Sequence, residues 1–356
     1  MTEKLAGIRA VAGHELRVRL RTGRVRLLLA VWVLGLSALT AVLWQTVHDV
    51  GGLHQRGVPV FGGLMLMLLA LSLLIVPTLA AQSINGDRER GVLAVLQVTL
   101  LTPAEIALGK LLAAWGTALV FLGLAVPIAA STLFMGGVGV GRLAITVLVV
   151  AVIMGVVAAI AQCWSGLLAR TGASSMVSYL SVFALTIGTL VVFGLALTST
   201  RGTHTVTEQV PDYDALLNGG NDVKGFSLNT DNIPTKTETR TTDDVRPEKV
   251  WWLLAPNPFV ILADAAPQKH KLSVSVDSNT GDSDFTFDPL GGIAGAVRDA
   301  RDPNHSIDPL GDRHHQSPVW PYGLAFDALL GLGAVTITTR RLRTPVKRLP
   351  RGVRIA

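Results

Sequence analysis

Residues 143–169 read LAITVLVVAVIMGVVAAIAQCWSGLLA, a run of 27 residues between two arginines that contains no Asp, Glu, Lys, Arg or His. About 20 apolar residues in a helix cross the roughly 30 Å hydrocarbon core of a bilayer. Four further uncharged stretches are long enough to cross, at 27–47, 57–86, 111–141 and 171–200. A sixth candidate, 319–339, contains one ionisable residue, Asp327. The sequence therefore predicts six spanning helices.

The overall composition agrees with a bilayer as the solvent. Hydrophobic residues make up 49% of the 356, and only 16% are charged, whereas soluble domains carry about 25% charged residues. Seven Lys or Arg precede the first apolar run, and that run has full spanning length. This pattern is not typical of a cleaved signal peptide, so we expect the first span to remain in the mature protein.

The distribution of basic residues predicts the orientation, because loops rich in Lys and Arg stay in the cytoplasm. With both ends inside, the cytoplasmic segments hold 18 of the 31 Lys and Arg residues, and the two short outer loops hold two. We therefore predict an all-α polytopic protein of the cytoplasmic (inner) membrane, with both termini in the cytoplasm. The basic ends favour anionic lipid and a cytoplasmic protein as partners, and we expect no nucleic-acid binding.

The chain divides into five segments on this interpretation. Residues 1–26 predict a cytoplasmic amphipathic helix that lies in the membrane interface, because apolar side chains recur at helical spacing between basic ones. Spans one to five occupy residues 27–198, with a cytoplasmic loop at 82–110. An extracytoplasmic insertion follows at 199–318, then span six at 319–339. A basic cytoplasmic tail, 340–356, ends the chain.

The loop between spans two and three carries the most specific pattern. It opens with the charged run Asp87-Arg88-Glu89-Arg90-Gly91, and apolar Val92, Leu93, Leu96 and Leu100 follow at helical spacing. Thr102 precedes Pro103 and is biased to an extended backbone, so we expect this short amphipathic helix to end there. A helix of this kind can anchor its leucines in a hydrophobic groove while the charges set the register at the rim.

This loop resembles the intracellular loop of ABC-2 type transporter permeases, although the usual Gly-Thr-Leu-Glu run reads Gly91-Val92-Leu93-Ala94 here. The resemblance implies that the chain is the permease subunit of an ABC exporter, and that this loop is the coupling helix that seats in a separate ATPase subunit. It further implies a second permease copy or paralogue as partner. By the same resemblance, the residues at the ATPase joint are Arg88, Glu89, Arg90, Gly91, Leu93, Leu96, Thr102 and Pro103.

The sequence contains no phosphate-binding loop, since Gly109-Lys110 is followed by Leu111 and no glycine stands five residues earlier. We therefore expect this chain to hold no cofactor of its own, with ATP and magnesium bound by the partner ATPase. No paired carboxylates, nucleophile–histidine pair or metal-ligand cluster stands at membrane depth, so we expect neither a catalytic nor a metal site.

Three residues are candidates for the transport pathway or a gate. Asp327 is the one ionisable residue at depth, and intramembrane acids are usually functional. Asn257-Pro258 lies in the uncharged stretch 250–263, which is too short to span and predicts a re-entrant or interfacial element; ABC-2 permeases have a similar motif before their last span. Residues 235–244 are poor in apolar side chains, and we expect them to be disordered.

Two other classes of function remain open from the sequence. An ATP-independent carrier or channel with six helices would transport in vesicles without ATP. A membrane scaffold or sensor built around the insertion would not transport at all. Uncharged helices are compatible with a drug, a lipid, a peptide, a glycan or an ion as substrate.

Overall fold

The computed structural model describes residues 2–49, 56–92, 101–211, 235–266, 275–276, 283–284, 288–301 and 317–343. Within these ranges six helices are long and apolar enough to cross a membrane, which confirms the predicted number of spans. They are Val25–Val47, Gly57–Glu89, Pro103–Met135, Val140–Leu167, Thr171–Ser199 and Trp320–Arg341.

The helices follow one another with short connections. We number the α-helices in chain order: α1 (Thr2–Arg21), α2 (Gly23–Asp49), α3 (Gly57–Ala80), α4 (Asn85–Glu89), α5 (Pro103–Ser131), α6 (Val140–Leu167), α7 (Thr171–Phe183), α8 (Thr189–Ser199), α9 (Pro258–Ala265), α10 (Pro289–Asp299) and α11 (Trp320–Arg341). A 3-10 turn, Thr132–Met135, extends α5, and a π-helical turn, Ala184–Gly188, joins α7 to α8 within span five.

Helices α3 and α6 form the centre of the bundle. Phe61 and Met65 of α3 and Val150 and Ile153 of α6 are buried in the main apolar core. By contrast, α8 has no buried residue, and Leu34 of α2 is 69% exposed. Leucines that point outward along a whole span are stable only in an apolar solvent, so these faces indicate a bilayer around the bundle.

The two ends of the bundle are built differently. At one end, which we call the terminal face, lie α1, α4, the start of α5 and the end of α11, where Leu342 packs against Ile84 and Ile106. At the other end, the insert face, lie α9, α10 and the starts of α3, α6 and α11.

Outside the spans, two antiparallel strands form a ribbon. Strand β1 (Arg201–Pro211) pairs with β2 (Thr235–Val245) over their full length, from Arg201↔Val245 to Pro211↔Thr235. The expected disorder of residues 235–244 is therefore wrong. β2 reads TKTETRTTDDV, and its threonines are β-branched residues that favour extended backbone even without apolar neighbours. A short pair, β3 (Ser275–Val276) and β4 (Ser283–Asp284), follows.

The uncharged stretch 250–263 forms two short elements at the insert face. A 3-10 turn, Trp251–Leu253, precedes α9, and seven of the eight residues of α9 are buried. α9 packs against α6, α10 and α11. The second half of the stretch therefore lies inside the protein at the end of the bundle, whereas Trp252 in its first half is 58% exposed.

α11 approaches α9 closely at Gly323. A Cβ added at this position would collide with the backbone carbonyl of Ala255 and would lie 2.9 Å from Cγ1 of Ile261. Only the absence of a side chain allows this contact, because a collision with backbone cannot be relieved by a rotamer change.

We predict that Gly323→Ala lowers the free energy of unfolding by about 1–3 kcal/mol, the usual cost of overpacking a close contact. Gly333→Ala is the matched control, because it lies on the same helix and its added Cβ meets nothing within 4 Å. Thermal unfolding in detergent, followed by loss of monodisperse protein, compares the two. Equal melting temperatures for both variants would contradict this packing.

Candidate functional site

Hydrogen bonds from spans four and five fix the start of the connection between spans two and three. The Ser165 hydroxyl of α6 accepts hydrogen bonds from the backbone N–H groups of Ile84 and Asn85, at 3.1 Å each. Ser174 of α7 donates to the carbonyl of Ala81 at 2.7 Å. The last turn of span two is thereby fixed before the charged run begins.

The predicted charged residues lie together at the end of this anchored turn. Arg88 donates to Oδ1 of Asn85 at 3.0 Å and to the carbonyl of Leu168 at 3.4 Å. Glu89 is exposed and accepts a hydrogen bond from the N–H of Thr171 at 3.4 Å. These contacts join the charged run to the connection between α6 and α7 on the terminal face.

The run ends in an exposed turn. Arg90 is exposed, and its Nε donates to the carbonyl of Gly86 at 3.0 Å. Gly91 has φ of 72°, in the left-handed region that favours glycine, so the chain changes direction after α4. Val92 is 45% exposed. The predicted leucine anchors, Leu93 and Leu96, lie outside the described residues.

Thr102 and Pro103 begin α5. Thr102 has an extended backbone, with ψ of 152°, and Pro103 is the first helical residue. The Thr102 hydroxyl accepts from the N–H of Glu105, while the Glu105 carboxylate accepts from the N–H of Thr102 at 2.6 Å. This capping box explains the local pattern Thr-Pro-Ala-Glu as a helix start, and it confirms that the extended residue is Thr102.

A buried ionic network joins three elements of the terminal face, and the sequence did not reveal it. The ammonium of Lys110 in α5 contacts the carboxylates of Asp87 in α4 and, at 3.4 Å, Glu15 in α1. Arg19 pairs with Glu15 at 2.7 Å and donates to the carbonyl of Leu79. The side chain of Lys110 is only 3% exposed. The one signal of this network in the sequence was a lysine directly before an uncharged spanning stretch.

The predicted helix at the N-terminus is present as α1, and one of its faces packs on α5. A Cβ at Gly109 would lie 2.7 Å from Val11, and Leu16 lies near Gly116. The basic residues Arg9, Arg17 and Arg21 are exposed on the other side. α1 is therefore amphipathic, as its spacing indicates, and the first half of α5 covers part of its apolar face.

At the insert face, Asn257 connects α9 to span five. Its Oδ1 accepts from the N–H of Phe259 at 2.9 Å and caps α9, while Pro258 is the first helical residue. Its Nδ2 donates to the carbonyl of Thr186 at 2.8 Å and to the hydroxyl of Thr189 at 2.9 Å. Thr186 lies in the π-helical turn, so Asn257 satisfies a carbonyl where the regular helical ladder is interrupted.

Two further ion pairs at this end were missed because their partners are far apart in sequence. Arg142 is buried and donates to both carboxylate oxygens of Asp288, at 2.9 and 2.8 Å. Asp264 accepts from Nε of Arg298 at 2.5 Å and also from two backbone N–H groups at the start of α11. The first pair attaches the start of α10 to span four, and the second joins α10 to α9, which in turn accepts from the start of α11.

Asp327 lies on α11, is 1% exposed, and its Oδ1 has no hydrogen-bond partner in the described part of the chain. No hydrogen bond among the described residues joins it to Asn257. Asn257 and Pro258 begin α9, and Asp327 lies on the last span about one turn after Gly323, the residue that contacts Ala255. Within the described ranges no three His, Cys, Asp or Glu residues are grouped to hold a metal ion.

No protein-family model matches the chain, and a search of curated proteins finds no similar sequence. The resemblance to ABC-2 permeases therefore depends on residues of this chain alone.

We predict that Lys110→Met lowers the free energy of unfolding by about 1–3 kcal/mol, because it removes the cation that contacts the partly buried Asp87 and one of the two cations that contact Glu15. Lys249→Met is the matched control, since Lys249 is exposed. The double variant Lys110→Met with Asp87→Asn should recover part of the loss. Thermal unfolding in detergent measures all three, and an unchanged melting temperature for Lys110→Met would show that the network does not stabilise the fold.

Asn257→Asp should destabilise the protein although it keeps the oxygen that caps α9. The carboxylate cannot donate to the Thr186 carbonyl, and an unsatisfied buried acceptor costs about 1–3 kcal/mol. Asn257→Ala should lose both the donor and the cap. Hydrogen exchange of the amides in α8 and α9 separates the effects: for Asn257→Asp we expect faster exchange in span five and little change at Phe259. Equal protection in both variants would contradict this division.

Proposed function

We propose that this chain is the membrane-spanning permease subunit of an ABC-2 type transporter, which exports a substrate across the cytoplasmic membrane with the energy of a separate ATPase subunit. The observation that carries the proposal is the anchored and exposed end of span two. Ser165 and Ser174 fix this turn to spans four and five, and Glu89, Arg90 and Gly91 project from it. A rigid base with exposed charges suits a joint that transmits force.

The residues beyond this base have the pattern of a docking helix. Leu93 and Leu96 are spaced as anchors on one helical face, and buried anchors surrounded by charged rims dominate the affinity of helix-in-groove contacts. Glu89 also contacts the connection between spans four and five. A force applied to the loop would therefore act on spans two, four and five together.

The orientation supports an ATPase on the same side as the loop. The predicted cytoplasmic segments carry 18 Lys and Arg residues, and the terminal face combines α1, α4 and the end of α11. On this proposal the terminal face lies in the cytoplasm, and the insert face with the ribbon lies outside. ATP and magnesium bind to the partner ATPase, and no catalytic group is assigned to this chain.

A second permease, either another copy or a paralogue, completes the transporter in this proposal. The faces of α2 and α7–α8 are open to it, because most of their apolar side chains are exposed. Asn257 fixes the π-helical turn of span five to α9, and Asp327 stands at depth in span six. We assign these residues to the transport pathway or its gate rather than to a chemical step.

A labelling experiment tests the orientation. In a Cys163→Ala background, a cysteine replacing Glu89 should react with an impermeant maleimide only after the cells are opened. A cysteine replacing Thr205 in the ribbon is the matched control and should react in intact cells. Labelling of the cysteine at 89 in intact cells would refute the proposal.

Pull-down of the chain from its membranes tests the partner. We expect an ATPase to co-purify with the native chain and to be lost from Leu93→Glu with Leu96→Glu, because charged side chains cannot fill an apolar groove. Arg17→Gln, which alters an exposed residue on α1, should retain it. Transport by the purified chain in ATP-free vesicles would instead support a carrier or channel.

A further inference from the structure

A groove of about 700 Å³ opens on the terminal face between α1, the end of α3 and the charged run. Its size falls within the range of about 300–1,000 Å³ that is typical of small-ligand sites. Its lining includes His14, Val18, Val25, Leu79, Asp87 and Arg90.

The groove lies at the level where two spans meet their first charged residues. Val25 is the first residue of span one, and Leu79 stands in the last turn of α3. Further from the apolar region, the wall changes to Asp87 and Arg90. A molecule in this groove would therefore contact apolar side chains and the ion-paired Arg19 at one end, and Asp87 and Arg90 at the other. Such a mixed surface suits a lipid at a membrane interface.

The charges of the groove are not equivalent. Lys110 is paired with Asp87, and Arg19 with Glu15, so these four groups neutralise one another. Arg90 has one internal bond, from Nε to Gly86; in the described part of the chain its Nη groups have no acceptor. The residual charge of the wall is positive, and it lies at the polar end.

We propose that this groove binds an anionic phospholipid of the adjoining leaflet. An acyl chain lies along Val18 and Val25, and the phosphate accepts hydrogen bonds from Arg90 and from His14 on the opposite wall. Arginine suits a phosphate because its planar group donates two parallel hydrogen bonds. Basic pockets between spanning helices recognise anionic headgroups in this way. The proposal does not require an ATPase partner.

The test uses the purified full chain without any ATPase. Native mass spectrometry measures retention of phosphatidylglycerol and of phosphatidylcholine with the same acyl chains, each titrated into delipidated protein. We expect phosphatidylglycerol to bind about fivefold more tightly or better, because one cation near a headgroup contributes about that factor.

Two pairs of variants locate the site. Arg90→Gln should weaken phosphatidylglycerol binding about fivefold, while Arg17→Gln, an exposed arginine of α1 outside the groove, should change it by less than about twofold. Val18→Trp should fill the groove and abolish selective retention of one lipid. Leu27→Trp makes the same addition on the exposed face of span one and should not. Val18 is 52% exposed and Leu27 66% exposed, so neither change disturbs the core.

Equal binding of the two lipids would overturn the proposal. So would equal losses in Arg90→Gln and Arg17→Gln, which would indicate attraction by net charge without a site. Unchanged retention in Val18→Trp would show that another part of the chain or the open surface holds the lipid. Because the ATPase is absent throughout, these results stand apart from the pull-down with the leucine variants.

Discussion

The structure depends on satisfying polar groups where water is absent. Side chains within the spans bond to backbone carbonyls of neighbouring helices: Trp32 to Phe121 at 3.0 Å, Trp115 to Ala151 at 2.8 Å and Gln162 to Ala107 at 2.8 Å. In hydrocarbon an unpaired donor is costly. Each of these bonds therefore fixes the rotation of one helix relative to another, which apolar packing alone specifies weakly.

The need to pair polar groups where water is absent also explains why the two ends of the bundle differ. At the terminal face, the charges are concentrated in the Lys110 network and in the exposed run that follows it. At the insert face, buried Arg142 pairs with Asp288 of the insertion, while buried Asp264, itself part of the insertion, pairs with Arg298 and accepts from the N–H groups of Val319 and Trp320. The insertion is thus attached to the bundle by the Arg142–Asp288 pair and by the bonds of Asp264 to the start of span six, whereas Glu89 and Arg90 of the loop between spans two and three are exposed.

The number of spans was predictable because it depends on a local property, the absence of charge over a helix of sufficient length. The start of α5 was also local, since Thr102, Pro103 and Glu105 lie within four residues. The sites were not. Lys110 meets Glu15 and Asp87, which lie 95 and 23 residues away, and no periodicity identifies such partners. Asn257 was recognised by its Asn-Pro motif, but its acceptor in span five depends on a π-helical turn that has no clear signature in the sequence.

The π-helical turn Ala184–Gly188 in span five accommodates one residue more than a regular α-helix over the same rise. An α-helix advances about 100° per residue, so the extra residue sets the azimuth of everything from Thr189 to Ser199 relative to α7. Removal of one residue from Ala184–Gly188 would restore a regular α-helical hydrogen-bond pattern and rotate the second half of span five by more than a quarter turn. A different stripe of leucines and valines would then point towards lipid. The direction in which the second half of this span faces is thus set by a local insertion of one residue rather than by the pattern of its own side chains.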